Sequence, residues 1–127
     1  MKPLYHPERE AISLEGVFSA LGDSVRLNVI RELLNLPERA EKTCGTFAIS
    51  VSKSTFSHHV RVLREAGLIQ VRQEGAHSLL SLRREDVEAR FPGLLAVVAI
   101  ASSSNLISSD RPSHEDKVLQ QTREVEL

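Results

Sequence analysis

The feature that most constrains this sequence is a change of hydrophobic period at Gly67. Before this glycine, Ser52 is a candidate cap for a helix over about residues 53–66, in which Phe56, Val60 and Leu63 recur at the spacing of one helical face. After it, residues 68–82 read as two short strands that flank a polar turn. A helix that is followed directly by a β-hairpin is the order found in a winged helix-turn-helix.

Helical patterns surround this unit. One covers about residues 8–20, and a second begins at a cap, Asp23 or Ser24, and ends before Pro37. Residues 43–51 are mediocre helix formers, and we expect a short helix there with distorted boundaries. The predicted fold is therefore mainly α-helical with a β-hairpin wing.

The last predicted helix opens at Pro92 and is apolar nearly all round over residues 94–100. Such a helix has more apolar surface than one small domain can cover, which indicates a partner surface. Later residues are rich in serine and charge, and we expect a flexible tail. We thus divide the chain into an N-terminal extension (1–7), one domain (8–102) and a tail (103–127).

Positive charge is concentrated in residues 52–84, which hold six basic and two acidic side chains in a chain of net charge -1. On the helix before Gly67, the face opposite the apolar one carries hydroxyl, imidazole and guanidinium groups, which contact phosphates and base edges in DNA. The alternative is a solvated polar face. We predict double-stranded DNA as the partner, contacted by Ser52, Lys53, Ser54, Thr55, Ser57, His58, Arg61 and Arg64, and by Arg72, Gln73 and His77 of the hairpin.

Two segments, ALGDSVRL at 20–27 and SKSTFSHHVRVLREAGLI at 52–69, resemble those of the ArsR/SmtB family of bacterial transcriptional repressors. The resemblance extends over about residues 12–100. It implies a homodimeric winged helix-turn-helix protein, paired through its first and last helices, that binds palindromic operators and leaves them when an inducer binds. The implied dimer interface consists of Leu14, Phe18, Leu94, Leu95, Val98 and Ile100. Arg26 lies at the start of the second helix, where we interpret it as structural rather than as a contact to the DNA backbone.

The metal sites of the family do not match this chain. One site needs a cysteine pair on the short helix, and Cys44 is the single cysteine. Another needs Asp, His and Glu along the last helix, but residues 92–107 contain no His, Cys, Asp or Glu. Transition metals need three or four converging ligands. We therefore expect no metal site and no cofactor.

A single cysteine excludes a disulfide within the chain and fits the reducing cytoplasm, and no apolar run is long enough for a membrane span. Motifs such as G-x-S-x-G and the P-loop are missing, so we expect no enzymatic activity.

We predict a metal-independent repressor and keep two alternatives. One is a winged-helix module that binds another protein through residues 94–100. The other is a repressor that senses oxidants through Cys44, although a free cysteine is more commonly buried and inert.

Overall fold

The computed structural model describes residues 4–48 and 50–100. The chain divides into two compact units, Met1–Leu95 and Ala96–Leu127. The regular elements are α1 (Leu14–Leu21), α2 (Ser24–Leu34), β1 (Lys42–Thr43), α3 (Lys53–Glu65), β2 (Ile69–Glu74), β3 (His77–Leu82) and α4 (Arg84–Arg90). A further helical stretch, residues 94–100, is named α5. This order confirms the mainly α-helical fold with a β-hairpin wing.

The single helix predicted over residues 8–20 is wrong. A short 3-10 helix spans Arg9–Ala11, and α1 begins only after Ser13, whose hydroxyl accepts the Gly16 N–H at 3.0 Å. A serine cap satisfies an N–H group that the first turn leaves without a partner, so the chain starts a new helix at this residue. The second helix begins as predicted, because Asp23 Oδ1 accepts the backbone N–H groups of Val25 and Arg26.

The short helix predicted over residues 43–51 is also wrong. The chain forms the strand β1 and then one 3-10 turn, Cys44–Thr46, closed by the Thr46 hydroxyl, which donates to the Thr43 carbonyl at 2.7 Å. Gly45 and the β-branched threonines have poor helix propensity, and pairing of β1 with β3 offers the backbone another set of hydrogen bonds.

The helix α3 has the predicted start and the predicted inward face. The Ser52 hydroxyl caps it by accepting the Thr55 N–H, and Phe56, Val60 and Leu63 are buried. Its end requires Gly67, whose φ of +88° is left-handed and whose missing Cβ would lie 2.5 Å from a carbon of the Ile12 side chain. The glycine therefore turns the chain into the sheet and allows close contact with the N-terminal segment.

The sheet is antiparallel with the strand order β1-β3-β2. In the hairpin, Ile69 lies opposite Leu82 and Val71 opposite Leu80, and all four side chains are buried. The alternate residues of β2 are exposed, so one face of the wing covers the core and the other faces solvent. This arrangement places the hairpin turn beside the start of α3.

The helix α5 carries both buried and exposed apolar side chains. Leu95 and Val98 are buried, whereas Val97 and Ile100 are each 64% exposed. The predicted tail, residues 103–127, lies outside the described residues. No helix in the described part of the chain has the length and apolar character needed to cross a membrane.

Candidate nucleic-acid interface

The side chains predicted to contact DNA lie on α3 and on the hairpin beside it. All of those from α3 are exposed except Arg64, which is half-buried, and the three hairpin residues are exposed. The exposed ones on α3 are Ser52, Lys53, Ser54, Thr55, Ser57, His58 and Arg61, and those on the hairpin are Arg72, Gln73 and His77. The structure therefore brings the predicted residues to the surface, and their hydrogen-bond partners distinguish their roles.

At the start of α3, hydroxyl groups bond to one another. Ser52 Oγ accepts the Thr55 N–H at 3.2 Å and lies 3.0 Å from Thr55 Oγ1 and 3.3 Å from Ser54 Oγ. Ser52 thus acts mainly as the helix cap. One turn further on, the Arg61 guanidinium donates to His58 Nδ1 at 3.1 Å, so the two groups form one exposed unit on the helix surface.

A groove of about 460 Å³ separates the first turns of α3 from the hairpin turn. Lys53, Phe56 and Ser57 from α3 line it, together with Ala76, His77 and Ser78 from the hairpin. The lysine and the histidine supply positive or polar groups from these two elements, which suits a polyanionic backbone.

Cys44 also lines this groove and is half-buried. Burial raises the pKa of its thiol, so the thiol stays protonated and weakly nucleophilic at neutral pH. This environment disfavours the oxidant-sensor interpretation.

On the wing, Arg72 has an acidic partner that sequence analysis missed. Its guanidinium donates to both carboxylate oxygens of Glu41, at 2.9 and 2.7 Å, and reaches Glu74 at 3.5 Å. The bond from Arg72 lowers the pKa of the Glu41 carboxyl. Glu41 directly precedes β1, and no local pattern in the sequence indicated that strand. The predicted DNA contact of Arg72 therefore competes with an ion pair inside the protein.

Arg64 has an internal partner as well. Its guanidinium donates to the Tyr5 carbonyl at 2.8 Å and so binds the N-terminal segment to the last turn of α3. Two cations of α3 remain exposed, Lys53 and Arg61. Neither has an acidic partner among the described residues, so both are available to contact phosphates.

Behind the exposed face, α3 is held by a buried histidine. His59 is 8% exposed, and its Nδ1 accepts a hydrogen bond from Arg26 at 2.8 Å. The same guanidinium donates through Nε to the Ala20 carbonyl at 2.7 Å. These contacts connect the end of α1, the start of α2 and α3, which agrees with a structural role for Arg26. The position of His59, three residues after Phe56 and four before Leu63, is the sequence signal that places it on the inward face.

Comparisons with known proteins agree on the class. Residues 21–72 match a family described as a helix-turn-helix domain. The chain is 36% identical over 81 residues to an uncharacterized HTH-type transcriptional regulator, YceK, of Bacillus subtilis (strain 168), an alignment that covers 62% of this chain and 79% of the relative. A second such regulator of the same organism, YuzN, is 27% identical over 84 residues, covering 62% of this chain and 91% of that protein.

Two solved structures share the fold. One is an ArsR family transcriptional regulator, with a TM-score of 0.52 and 22% identity over 84% of this chain and 99% of the other. The other is an ArsR-like transcriptional regulator from Rhodococcus sp. RHA1, with a TM-score of 0.51 and 19% identity over 80% and 94% of the two chains. The fold implied by the resemblance is therefore confirmed.

Proposed function

We propose that this chain, which belongs to the helix-turn-helix transcriptional regulators, acts in the cytoplasm as a homodimeric, metal-independent repressor of a pseudo-palindromic operator. The observation that carries the proposal is the exposed polar and cationic face of α3 beside the wing, where Lys53, Ser57 and His77 line a groove of about 460 Å³. We assign the protein no enzymatic activity, and its release from DNA by a small-molecule inducer is part of the hypothesis.

The proposed docking follows from the partners of each side chain. Lys53 and Arg61 contact phosphates, because neither has an acidic partner among the described residues. Ser54, Ser57 and His58 lie on the same exposed face and read base edges in the major groove. In a symmetric dimer, two such helices enter successive major grooves about 34 Å apart.

Exposed apolar side chains support dimer formation. Leu14 and Phe18 on α1 are 41% and 58% exposed, and Val97 and Ile100 on α5 are each 64% exposed. Large apolar side chains on two helices are more stable when a partner covers them, and a second copy is the commonest partner. Among the interface residues predicted from the sequence, Leu95 and Val98 are already buried and Leu94 is half-buried, so the proposed contact depends mainly on the exposed ones.

Metal independence rests on the ligand sets that the sequence lacks, namely a cysteine pair and acidic or histidine residues on the last helix. Within residues 4–48 and 50–100, no three His, Cys, Asp or Glu side chains lie close enough together to hold a metal ion. Operator affinity is therefore expected to be the same in excess Zn²⁺ and in a chelator. A change of tenfold or more between the two would contradict this part of the proposal.

The test of the whole proposal is a selection of bound duplexes from fragmented host DNA, followed by a salt titration on the enriched sequence. An inverted repeat is expected, with a log affinity that falls linearly as log salt concentration rises. Cross-linking and sedimentation of the free protein should show a dimer. A monomer that binds every duplex weakly and alike would favour the protein-interaction alternative.

A further inference from the structure

Residues 4–12, the N-terminal segment, include residues 4–7 of the extension predicted over residues 1–7 and are held against α3, β2 and α4. At its far end, Arg90 donates two hydrogen bonds to the Ile12 carbonyl, at 3.0 and 2.6 Å, and Ile12 is 1% exposed. Arg9 pairs with Asp86 at 2.7 Å, and Pro7 is buried next to Gly67. The segment is thus held at several points.

Its first described residues contact the outer strand of the wing. His6 Nε2 accepts the backbone N–H of Val71 at 3.0 Å, and His6 Nδ1 lies 3.1 Å from the Leu4 carbonyl. Because a carbonyl can only accept, Nδ1 carries the proton and Nε2 is the acceptor. Among the described residues, β2 is at the edge of the sheet, and its Val71 N–H donates to His6 instead of to another strand.

The residue before His6 contacts α3, which is the recognition helix of the proposed DNA-binding surface. The Tyr5 carbonyl accepts from the Arg64 guanidinium on α3 at 2.8 Å. Two consecutive residues therefore bridge α3 and β2, the two elements that carry the proposed DNA contacts. A bridge of this kind fixes the angle between them more firmly than the Gly67 turn alone.

We propose that His6 is a positioning residue for DNA binding, which holds the outer strand of the wing against the end of the recognition helix. The inference rests on the proposed function, because the two elements that it connects are the proposed DNA-binding elements. His6 itself lies on the N-terminal segment and is not among the residues expected to contact DNA.

The contact needs the neutral form of His6. A proton on Nε2 would put one donor against another, the Val71 N–H. Burial lowers the pKa of His6 below its ordinary value of 6.5, the bond with the Leu4 carbonyl opposes this, and the charges of Arg64 on α3 and Arg83 after β3 lower it further. Because the pKa in the folded state is lowered, the contact contributes its full stability above about pH 6.5, and this contribution is lost as the pH falls through the lowered pKa.

The test compares the full-length protein with His6→Gln and His6→Ala. Glutamine carries an amide oxygen that accepts a hydrogen bond and does not titrate, whereas alanine removes the acceptor. Two quantities are measured from pH 7.5 downward, over the range in which the proteins stay folded: protection of the Val71 amide against hydrogen exchange, corrected for the intrinsic rate, and affinity for the selected operator.

In the unsubstituted protein, the protection of the Val71 amide and the operator affinity should each fall about three- to tenfold relative to His6→Gln as the pH drops. In His6→Ala, Val71 should be poorly protected throughout, and operator binding should be weaker at pH 7.5. Dividing each quantity by its value in His6→Gln removes the pH-dependent effect of the histidines on the DNA-facing surface, because both proteins carry them. If His6→Ala does not fold, the comparison of the original protein with His6→Gln is sufficient.

Three results would overturn the proposal. The first is Val71 protection that is equal in all three proteins. The second is lost protection with unchanged operator affinity, which would make His6 a local contact only. The third is pH-dependent Val71 protection in a protein that binds no operator, and here the proposed function itself would have failed while the His6 contact was observed.

Discussion

The recognition helix and the wing both carry cations predicted to bind DNA, but they hold them differently. On α3, the Arg61 guanidinium bonds to an imidazole, and Lys53 projects from the exposed first turn. On the wing, Arg72 donates to both oxygens of Glu41. A carboxylate neutralises the arginine and holds its fork in place, whereas a neutral imidazole leaves the positive charge intact. Two arginines on adjacent elements, Arg61 and Arg72, thus differ in how readily each can bind a phosphate.

Of the substitutions considered, the largest change in free energy is expected from Arg26, whose contacts lie beneath α3 rather than on its exposed surface. Arg26→Ala would leave the buried His59 nitrogen and the Ala20 carbonyl without their donor. Loss of these partly buried bonds should lower the free energy of unfolding by about 2 kcal/mol. Urea denaturation measures this change, and Arg26→Lys, which keeps one donor group, should be intermediate. A stability equal to that of the original protein would show that the Arg26 contacts are dispensable.

The surface of α3 is tested by Arg61→Ala. Removal of an exposed guanidinium that has no acidic partner in the described part of the chain should weaken operator binding at least tenfold, or about 1.4 kcal/mol. Fluorescence titration measures the affinity at fixed salt. The control is Arg39→Asn, which removes one positive charge from the turn between α2 and β1, where the φ of 68° is one that asparagine tolerates. Similar losses in both variants would indicate only a change in overall charge.

The wing is tested by removing the partner of its arginine. Glu41→Gln should release Arg72 for a phosphate, raising operator affinity about two- to fivefold and steepening the log–log salt dependence by up to about 0.9. Glu85→Gln is the matched control, because this exposed carboxylate pairs weakly with Arg39 at 3.9 Å. An unchanged salt slope in Glu41→Gln would mean that Arg72 does not reach the DNA even without the Glu41 carboxylate.

The smallest effect is an acid titration of the same pair. Arg72 lowers the pKa of Glu41, so the pair contributes stability above the ordinary carboxyl pKa of about 4.5, and this contribution is lost as the pH falls through the lowered value. In Arg72→Ala, the titration midpoint of the Glu41 carboxyl, followed by carbon NMR, should move upward. A midpoint that does not move would contradict the ion pair in solution.

The sequence predicts best the parts of this fold that depend on neighbours in the chain. The cap at Ser52, the inward face of α3 and the turns at Gly67 and Gly75 all follow from residues within one or two turns of one another. The strand β1 has two residues and exists through its pairing with β3, so no periodic pattern marks it. Where a local signal competed with a longer pattern, as Ser13 does within residues 8–20, the cap determined the boundary.

The same distinction applies to the site. The sequence places the exposed groups of α3 correctly on one face, because that face follows from the helical period. The partners of these groups do not follow from it: Glu41 is 31 residues from Arg72, Arg26 is 33 from His59, and His6 is 65 from Val71. Such pairs depend on how the elements pack, and they determine which cations remain available for DNA.

The docked N-terminal segment has a practical consequence for handling the protein. Because the Tyr5 carbonyl accepts from Arg64 near the end of α3, the chain at residues 4–5 lies close to this helix. A purification tag or fluorescent fusion attached there would add bulk and charge beside the proposed DNA path. Binding assays are therefore better designed with the label on an exposed side chain of another segment, such as Glu38 in the turn after α2.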